Sequence, residues 1–342
     1  LEFEIRPPYE IIAAAAQTAN SITFYVRNNT ADALQGQAVI ASAGNSITQP
    51  LTIAAFGDSE PITLSAEEFA LLPGTNRVAV VLDEERDIEG DVINWHIRPD
   101  RDSLTWETVN LKPLFNDKIS RIFKNEYLSP RSPYCSLAIP KQGIGSWCNF
   151  TKTFDVDDSG LRRLSAENDG RVMLPQSIFF KMPAEPDANN IIFTSQWDNF
   201  PEKCDIPLSG KARHLYLLMA GSTNSMQSRF DNGVVVVTYT DGQTEQLPLH
   251  NPTTWWPIEQ DYFIDDFAFR RPEPIPPRID LKTGHIRITK WADFKGKGGT
   301  VAGGAATVVD MPLRADKELS SLTVRTLANE VVIGLISATL VR

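Results

Sequence analysis

Short runs rich in β-branched residues, separated by turn formers, recur along almost the whole chain, and no helical series alternates with them. SITFYV at Ser21–Val26, QAVI at Gln37–Ile40, QPLTI at Gln49–Ile53 and RVAVVL at Arg77–Leu82 have the composition of strands. Asn28-Asn29, Gly44-Asn45 and Pro73-Gly74 punctuate them. Their spacing, roughly 8 to 12 residues, is that of a β-sandwich, so an Ig-like sandwich is expected over about residues 1–99.

Beyond the polar, turn-prone RPDRD at Arg98–Asp102, the apolar residues Leu114, Ile119, Ile122 and Phe123 partly follow helical spacing and predict a short helix at about 116–124. Strand composition then returns at Gln176–Lys181, Asn190–Ser195, His214–Ala220, Val234–Tyr239, His285–Thr289, Ser321–Val324 and Val331–Ala338. An α/β barrel or doubly wound sheet needs crossover helices of about ten or more residues between parallel strands, and none is present. The fold class is therefore all-β, with a larger jelly-roll sandwich expected over 100–342. Thr240-Asp241-Gly242 between two strand-like runs predicts a hairpin. Pro272, Pro274, Pro276 and Pro277 predict a stiff extended connector, and Gly296–Ala305 a surface loop.

The chain has 342 residues, more than one domain usually holds, and its 42% apolar content is enough for packed cores. The formal net charge of −10, with no basic stripe to offset it, argues against nucleic acid as a partner. No apolar run reaches the roughly 18 to 20 residues that a membrane-spanning helix requires. Cys135, Cys148 and Cys204 show no zinc-like spacing and read first as ordinary thiols, with a Cys135–Cys148 bridge as the alternative in an oxidising compartment. Asp155, Asp157 and Ser159 with Gly160 imitate the start of a calcium loop. Counted from Asp155, however, the twelfth position is Ala166 where a bidentate Glu is needed. The expectation is no cofactor, with a structural calcium at Asp155 and Asp157 as the weak metal candidate.

Three further stretches carry a resemblance. RHLYLLMAGSTNSMQSRFDNGVVVVTYTDGQTEQLPLHNPTTWWPIEQDYFIDDFAF at Arg213–Phe269, the Asn116–Asn149 segment, and the tail from Ala315 to Arg342 resemble the β-sandwich, galactose-binding-like region of large bacterial glycoside hydrolases of the six-hairpin, rhamnosidase-like kind. DDSGLR at Asp157–Arg162 belongs to the same likeness. The resemblance implies a missing α-helical catalytic domain as partner, carbohydrate as ligand, and an extracytoplasmic setting, periplasmic or at the cell surface. The chain opens on Leu1 without a leader, as a trimmed or mature product would. About a dozen helices of typical length cannot fit beside two sandwiches in this chain, so the parent's activity is not expected of it.

Sugars stack their apolar faces on aromatic rings and present hydroxyls to planar polar groups. Trp255 and Trp256 supply rings, and Asn224, Gln227, Arg229 and Asn251 supply polar groups if the loops after the Leu215–Ala220 strand and before Trp255 meet at one edge. Neighbouring strand residues point to opposite faces, so core roles for these tryptophans compete with the sugar platform. Trp147 and Trp197 are further candidates, with core plugs again as the competing reading. No nucleophile elbow or phosphate loop is present, and no catalytic residue is assigned. The expected function is a non-catalytic accessory region that supports a glycoside hydrolase and binds carbohydrate. A hydrolase with a carboxylate site on the sandwich, drawn from Glu259, Asp261, Asp265 and Asp266, is the alternative.

Overall fold

The computed structural model describes residues 6–83, 86–100, 104–127, 154–223, 229–262, 274–288, 291–293, 296, 299–329 and 331–342. The chain forms two compact units, Leu1–Ser103 with Pro175–Ser177, and Leu104–Leu174 with Ile178–Arg342. The fold is all-β, with only short helical elements among the described residues.

The first unit is a sandwich of two antiparallel sheets. One contains β1 (Tyr9–Ala13), β2 (Ser21–Asn28) and β5 (Ile62–Ser65), in the order β1-β2-β5. The other contains β3 (Leu34–Ser42), β4 (Asn45–Ile53), β6 (Gly74–Asp83) and β7 (Arg86–Asn94), in the order β4-β3-β6-β7. Strict alternation along β2 turns Ile22, Phe24 and Val26 inward, where they meet Ile40, Val78 and Val80. Each such side chain contributes about 1.5 to 3 kcal/mol by leaving water. The Asn94 side chain donates to the carbonyls of Thr18 and Ser21, so a buried amide ties the end of β7 to the entry of β2.

The larger unit is a second sandwich. Its main sheet runs β11 (Ile192–Ser195), β20 (Val331–Val341), β13 (His214–Thr223), β18 (Ala305–Pro312), β16 (Arg278–Asp280) and β17 (Ile286–Arg287), with β8 (Trp106–Thr108) also pairing with β20. The facing sheet has the order β12 (Lys203–Pro207), β19 (Leu319–Thr326), β14 (Asp231–Tyr239) and β15 (Thr244–His250). Every residue of β13 and β20 is buried, which explains why HLYLLMAGST and VVIGLISATLV read as continuous apolar runs without alternation. One face of these strands, through Leu217, Met219, Ile333 and Leu335, packs on Val235, Val237, Leu322 and Val324 of the facing sheet. The other is covered by the hairpin of β9 (Arg171–Met173) and β10 (Phe179–Lys181), where Thr339 Oγ1 donates to the Phe179 carbonyl and the Lys181 amide donates to Ser337 Oγ.

The Asp241-Gly242 hairpin forms as expected between β14 and β15, with Gly242 at φ +85°. Two local expectations are corrected. The helix expected at 116–124 is only a 3-10 turn at Ile119–Arg121, because Ile119 and Ile122 are buried from an irregular segment tied down by Asn190. Among the described residues the α-helix of the larger unit is instead α1 (Ser159–Glu167), which overlaps the stretch that imitates a calcium loop. The glycine run at 296–305 does not end as a surface loop, since Gly303 and Gly304 are buried at positive φ against Lys282, Ile258 and Leu281.

Candidate functional site

The sheet β12-β19-β14-β15 buries one face and shows the other to solvent. Register places Lys203 beside Arg325, Arg325 beside Val234, and Val234 beside Pro248. Two residues along, Asp205 stands beside Thr323, Thr323 beside Val236, and Val236 beside Gln246. Residues two apart share a face, so these eight side chains form two adjacent rows across all four strands. They line a groove of 420 Å³ with Asp231 and Leu327 at one end, a volume within the range of small-ligand clefts.

The groove has an apolar strip and polar flanks. Val234, Val236 and Pro248 supply the strip. On one flank Lys203 Nζ donates to Asp205 Oδ2 at 2.8 Å and Thr323 Oγ1 donates to Asp205 Oδ1 at 2.6 Å. Lys203 first, then Thr323, hold the Asp205 carboxyl below the usual carboxylate range. Arg325 is fixed by Nε and Nη2 donating to Glu202 Oε1 at 3.0 and 2.8 Å. At the end of the groove Asp231 Oδ1 lies 3.0 Å from His250 Nδ1. These are planar and charged groups held in place by partners along the groove's lining. Such a surface can orient hydroxyls by hydrogen bonding while an apolar ring face rests on the valines.

Two large apolar side chains are exposed near Asp231. Phe230 immediately precedes it and is 45% exposed, and Leu327 is 42% exposed. Both are anchored through Asn232, whose carbonyl accepts from the Leu327 amide and whose side chain donates to the Phe230 carbonyl.

The residues singled out from sequence lie elsewhere. Trp255 and Trp256 are 1% and 3% exposed. Trp255 belongs to the inter-sheet core, and Trp256 packs at 5.3 Å between ring centroids on Tyr262. Trp197 is wholly buried and meets the Tyr127 ring edge-on at 5.9 Å. Their faces are thus occupied by protein. The two loops expected to meet do so in part, since the exposed Arg229 donates its amide to the Asn251 carbonyl at 2.8 Å, while the Asn251 side chain is buried. Asn224, Gln227, Trp147, Asp265, Asp266, Cys135 and Cys148 lie outside the described residues. Cys204, on β12, is a free, half-buried thiol whose pKa burial pushes up.

The calcium-like carboxylates have other partners. Asp155 pairs with Lys124 at 2.7 Å, and Asp157 accepts from the Ser159 amide at 3.0 Å at the start of α1. The Ser159 contacts hold Asp157 below its ordinary value. Among the described residues, no three His, Cys, Asp or Glu side chains gather as a metal would require.

Glu259 is a further group of note. The residue is 1% exposed, and burial raises its pKa from 4.5 to about 7 against the weaker opposing effects of a backbone amide, the Ser222 hydroxyl and Arg278. Asp261, two residues on, is bound instead to Arg287 at 2.6 Å.

The groove residues were hidden in the sequence by their context. Alternation in KCDIP and LTVRT marks Lys203, Asp205, Thr323 and Arg325 as sharing a face. The run VVVV at Val234–Val237 carries no such alternation, so nothing there told which valines face water.

Comparison of the sequence with protein-family models and with curated proteins finds no match. Among the described residues, no helix is long and apolar enough to cross a membrane.

Proposed function

We propose that the larger unit is a non-catalytic, carbohydrate-binding part of a polysaccharide-degrading glycoside hydrolase, and that it binds glycan on the open face of β12-β19-β14-β15. The observation that carries this reading is the pair of cross-strand rows. They combine an apolar strip, Val234, Val236 and Pro248, with planar groups fixed by partners at Asp205 and Arg325 and with the exposed amide of Gln246. The resemblance of residues 213–269 to sandwich regions of such hydrolases supports it, and so does the exposed Leu327 at the groove's end. A role in docking a catalytic domain calls for an exposed apolar patch of several hundred Å². The large apolar side chains exposed among the described residues of this unit are Phe230 and Leu327. In this reading the first unit, an Ig-like sandwich, acts as a spacer, and the protein works outside the cytoplasm, where polysaccharide is met.

One observation favours the alternative of a hydrolase. Glu259 keeps its proton to about pH 7, as a general acid must. Its burial and its hydrogen bond from Ser222 are equally those of a neutral core carboxyl.

The test is a glycan-array screen of the whole chain, followed on each glycan retained by a reducing-sugar release assay. Retention without release, abolished in Arg325→Ala combined with Gln246→Ala, is the expected result. Release of sugar that disappears in Glu259→Gln would replace the binding reading with the enzymatic one. Retention unaffected by the groove double variant would move the site off this sheet.

A further inference from the structure

We infer that segment 255–262 is a proton-operated strap, seated on the larger unit while the Glu259 carboxyl is neutral and opening far more often once that carboxyl ionises. The inference stands apart from both the glycan-binding and the enzymatic reading.

The strap is tied down along both margins. The Ile258 amide donates to the Gly221 carbonyl near the end of β13 at 2.8 Å, and the Asp261 amide donates to the Gly299 carbonyl at 2.9 Å. In return, the Ile258 carbonyl accepts from the Ala305 amide at 2.9 Å and the Glu259 carbonyl from the Val301 amide at 3.0 Å. Arg278 of β16, itself buried, donates through its two Nη atoms to the carbonyls of Pro257 and Gln260 on the strap and of Ala305 on β18. Trp255, Trp256, Ile258 and Tyr262 are buried with it.

Glu259 sits in the middle of this strap, between two carbonyls that Arg278 holds. Its Oε1 accepts from the Ser222 hydroxyl of β13, while its Oε2 and the Arg278 Nε have no hydrogen-bond partner among the described residues. Arg278 is the charge that favours the carboxylate form. The stretch 299–307 contributes no ionisable side chain. Asp261 on the strap, Arg287 on β17 and Asp280 on β16 form an ion-pair chain of their own, with contacts of 2.6 and 2.8 Å. Asp261 lies 3.9 Å from Arg278, and the Arg278 guanidinium stands over the Tyr262 ring at 5.4 Å.

This setting suits a neutral carboxyl. An ionised one has lost its water without gaining comparable partners, and opening the strap returns it to water. Opening is therefore coupled to proton release. Burial holds the pKa of the closed form at about 7, against 4.5 for the exposed group. The open fraction is accordingly flat below about 4.5, rises with pH toward 7 and levels off above. Between pH 5 and pH 8 the rise is roughly 50- to 100-fold.

The experiment is amide hydrogen exchange on the whole chain at pH 5, 6, 7 and 8, with rates corrected for the intrinsic pH dependence of exchange. The amides of Ile258, Asp261, Val301 and Ala305 should lose protection roughly 50- to 100-fold from pH 5 to pH 8, on a curve that flattens above pH 7. They should also stay less protected at every pH than the Val235 and Val237 amides of β14, an interior strand of the facing sheet. In Glu259→Gln the strap amides should be as protected at pH 8 as at pH 5. Protection at the strap that does not change with pH overturns the inference, and so does a loss that persists in Glu259→Gln. Equal protection and equal loss at the strap and at β14 would assign the effect to global unfolding and remove the strap as a separate device. Ser222→Ala gives a second check that leaves the carboxyl in place. Without the hydroxyl that favours the carboxylate, the curve should flatten at a higher pH, and an unmoved curve overturns the inference.

Discussion

The Ser222 hydroxyl donates to Glu259 Oε1 at 3.1 Å inside the larger unit, while Oε2 of the same carboxyl has no hydrogen-bond partner among the described residues. Burial outweighs the backbone amide, the Ser222 hydroxyl and the Arg278 charge that favour the carboxylate, which is why the group's pKa is pushed up to about 7. The folded pKa is raised above the ordinary 4.5, so the folded state binds more protons between these values. Stability from this group is therefore greatest below about 4.5, falls as the pH rises toward 7, and levels off above. The full swing is about 3 kcal/mol. Denaturant melts of Glu259→Gln against the unaltered protein should nearly coincide at pH 4 and separate at pH 8, with the variant more stable. Parallel behaviour at both pH values would show that the carboxyl does not titrate in this window.

Two glycines should fail for different reasons. A Cβ on Gly221 would strike the Val332 carbonyl oxygen and lie 2.7 Å from the Trp255 ring, so the neighbouring strand must move. Gly221→Ala should cost about 3 kcal/mol or more, since backbone cannot yield as a side-chain tip can. Gly242 has open space around its missing Cβ but sits at φ +85° in the β14-β15 turn. Gly242→Ala should cost only about 1 to 2 kcal/mol, through backbone strain alone. Urea unfolding of the two variants checks the order.

Asp158 is the partner of a buried guanidinium. Arg162 Nε donates to Asp158 Oδ2 at 2.9 Å, and the Asn190 side chain donates to the same oxygen at 2.7 Å. Arg162 also donates to the Ala188 and Glu185 carbonyls. Asp158→Ala would leave this cation buried without its counter-charge, at a cost of about 3 to 5 kcal/mol. Replacing both residues, as Asp158→Leu with Arg162→Met, should cost much less than the single change. A thermal denaturation cycle over the three variants measures the coupling.

That pair also shows what the sequence could and could not tell. Strands announced themselves wherever one face is wet, as at Ile22, Phe24 and Val26, and the hairpin did so through Asp241-Gly242. The helix Ser159–Glu167 did not. Its residues Gly160, Arg162 and Ser165 are buried although small or polar, and Gly160 is there because a Cβ would collide with the backbone of Lys282 and Thr283. LRRLSAE does carry helix formers at helical spacing, but over nine residues that signal is short, and the contacts at Gly160, Arg162 and Ser165 secure the helix. The same blindness applied to the site. Aromatic residues drew attention to Trp255, Trp256 and Trp197, whose rings the structure uses as core, while the groove is built from valines and ion pairs that only strand register brings together.

The tryptophans consequently yield a prediction about stability. Trp255 lies between the sheets with Leu217, Met219, Val235 and Leu249 in one core. Trp255→Ala should cost about 3 to 5 kcal/mol through lost burial and the cavity left behind. Any accompanying loss of glycan binding would follow unfolding and vanish when affinity is corrected for the folded fraction. The groove variants behave in the opposite way. Arg325 and Gln246 lie on the solvent side of the sheet, and the Arg325–Glu202 pair has side chains 50% and 40% exposed, so its loss should change stability by less than about 1 kcal/mol. Measured side by side by calorimetric melting and by titration with a retained glycan, Trp255→Ala should lose stability and keep intrinsic affinity. Arg325→Ala with Gln246→Ala should keep stability and lose affinity. A Trp255 variant that stays folded and no longer binds would place the ligand at the tryptophan pair instead of the open sheet.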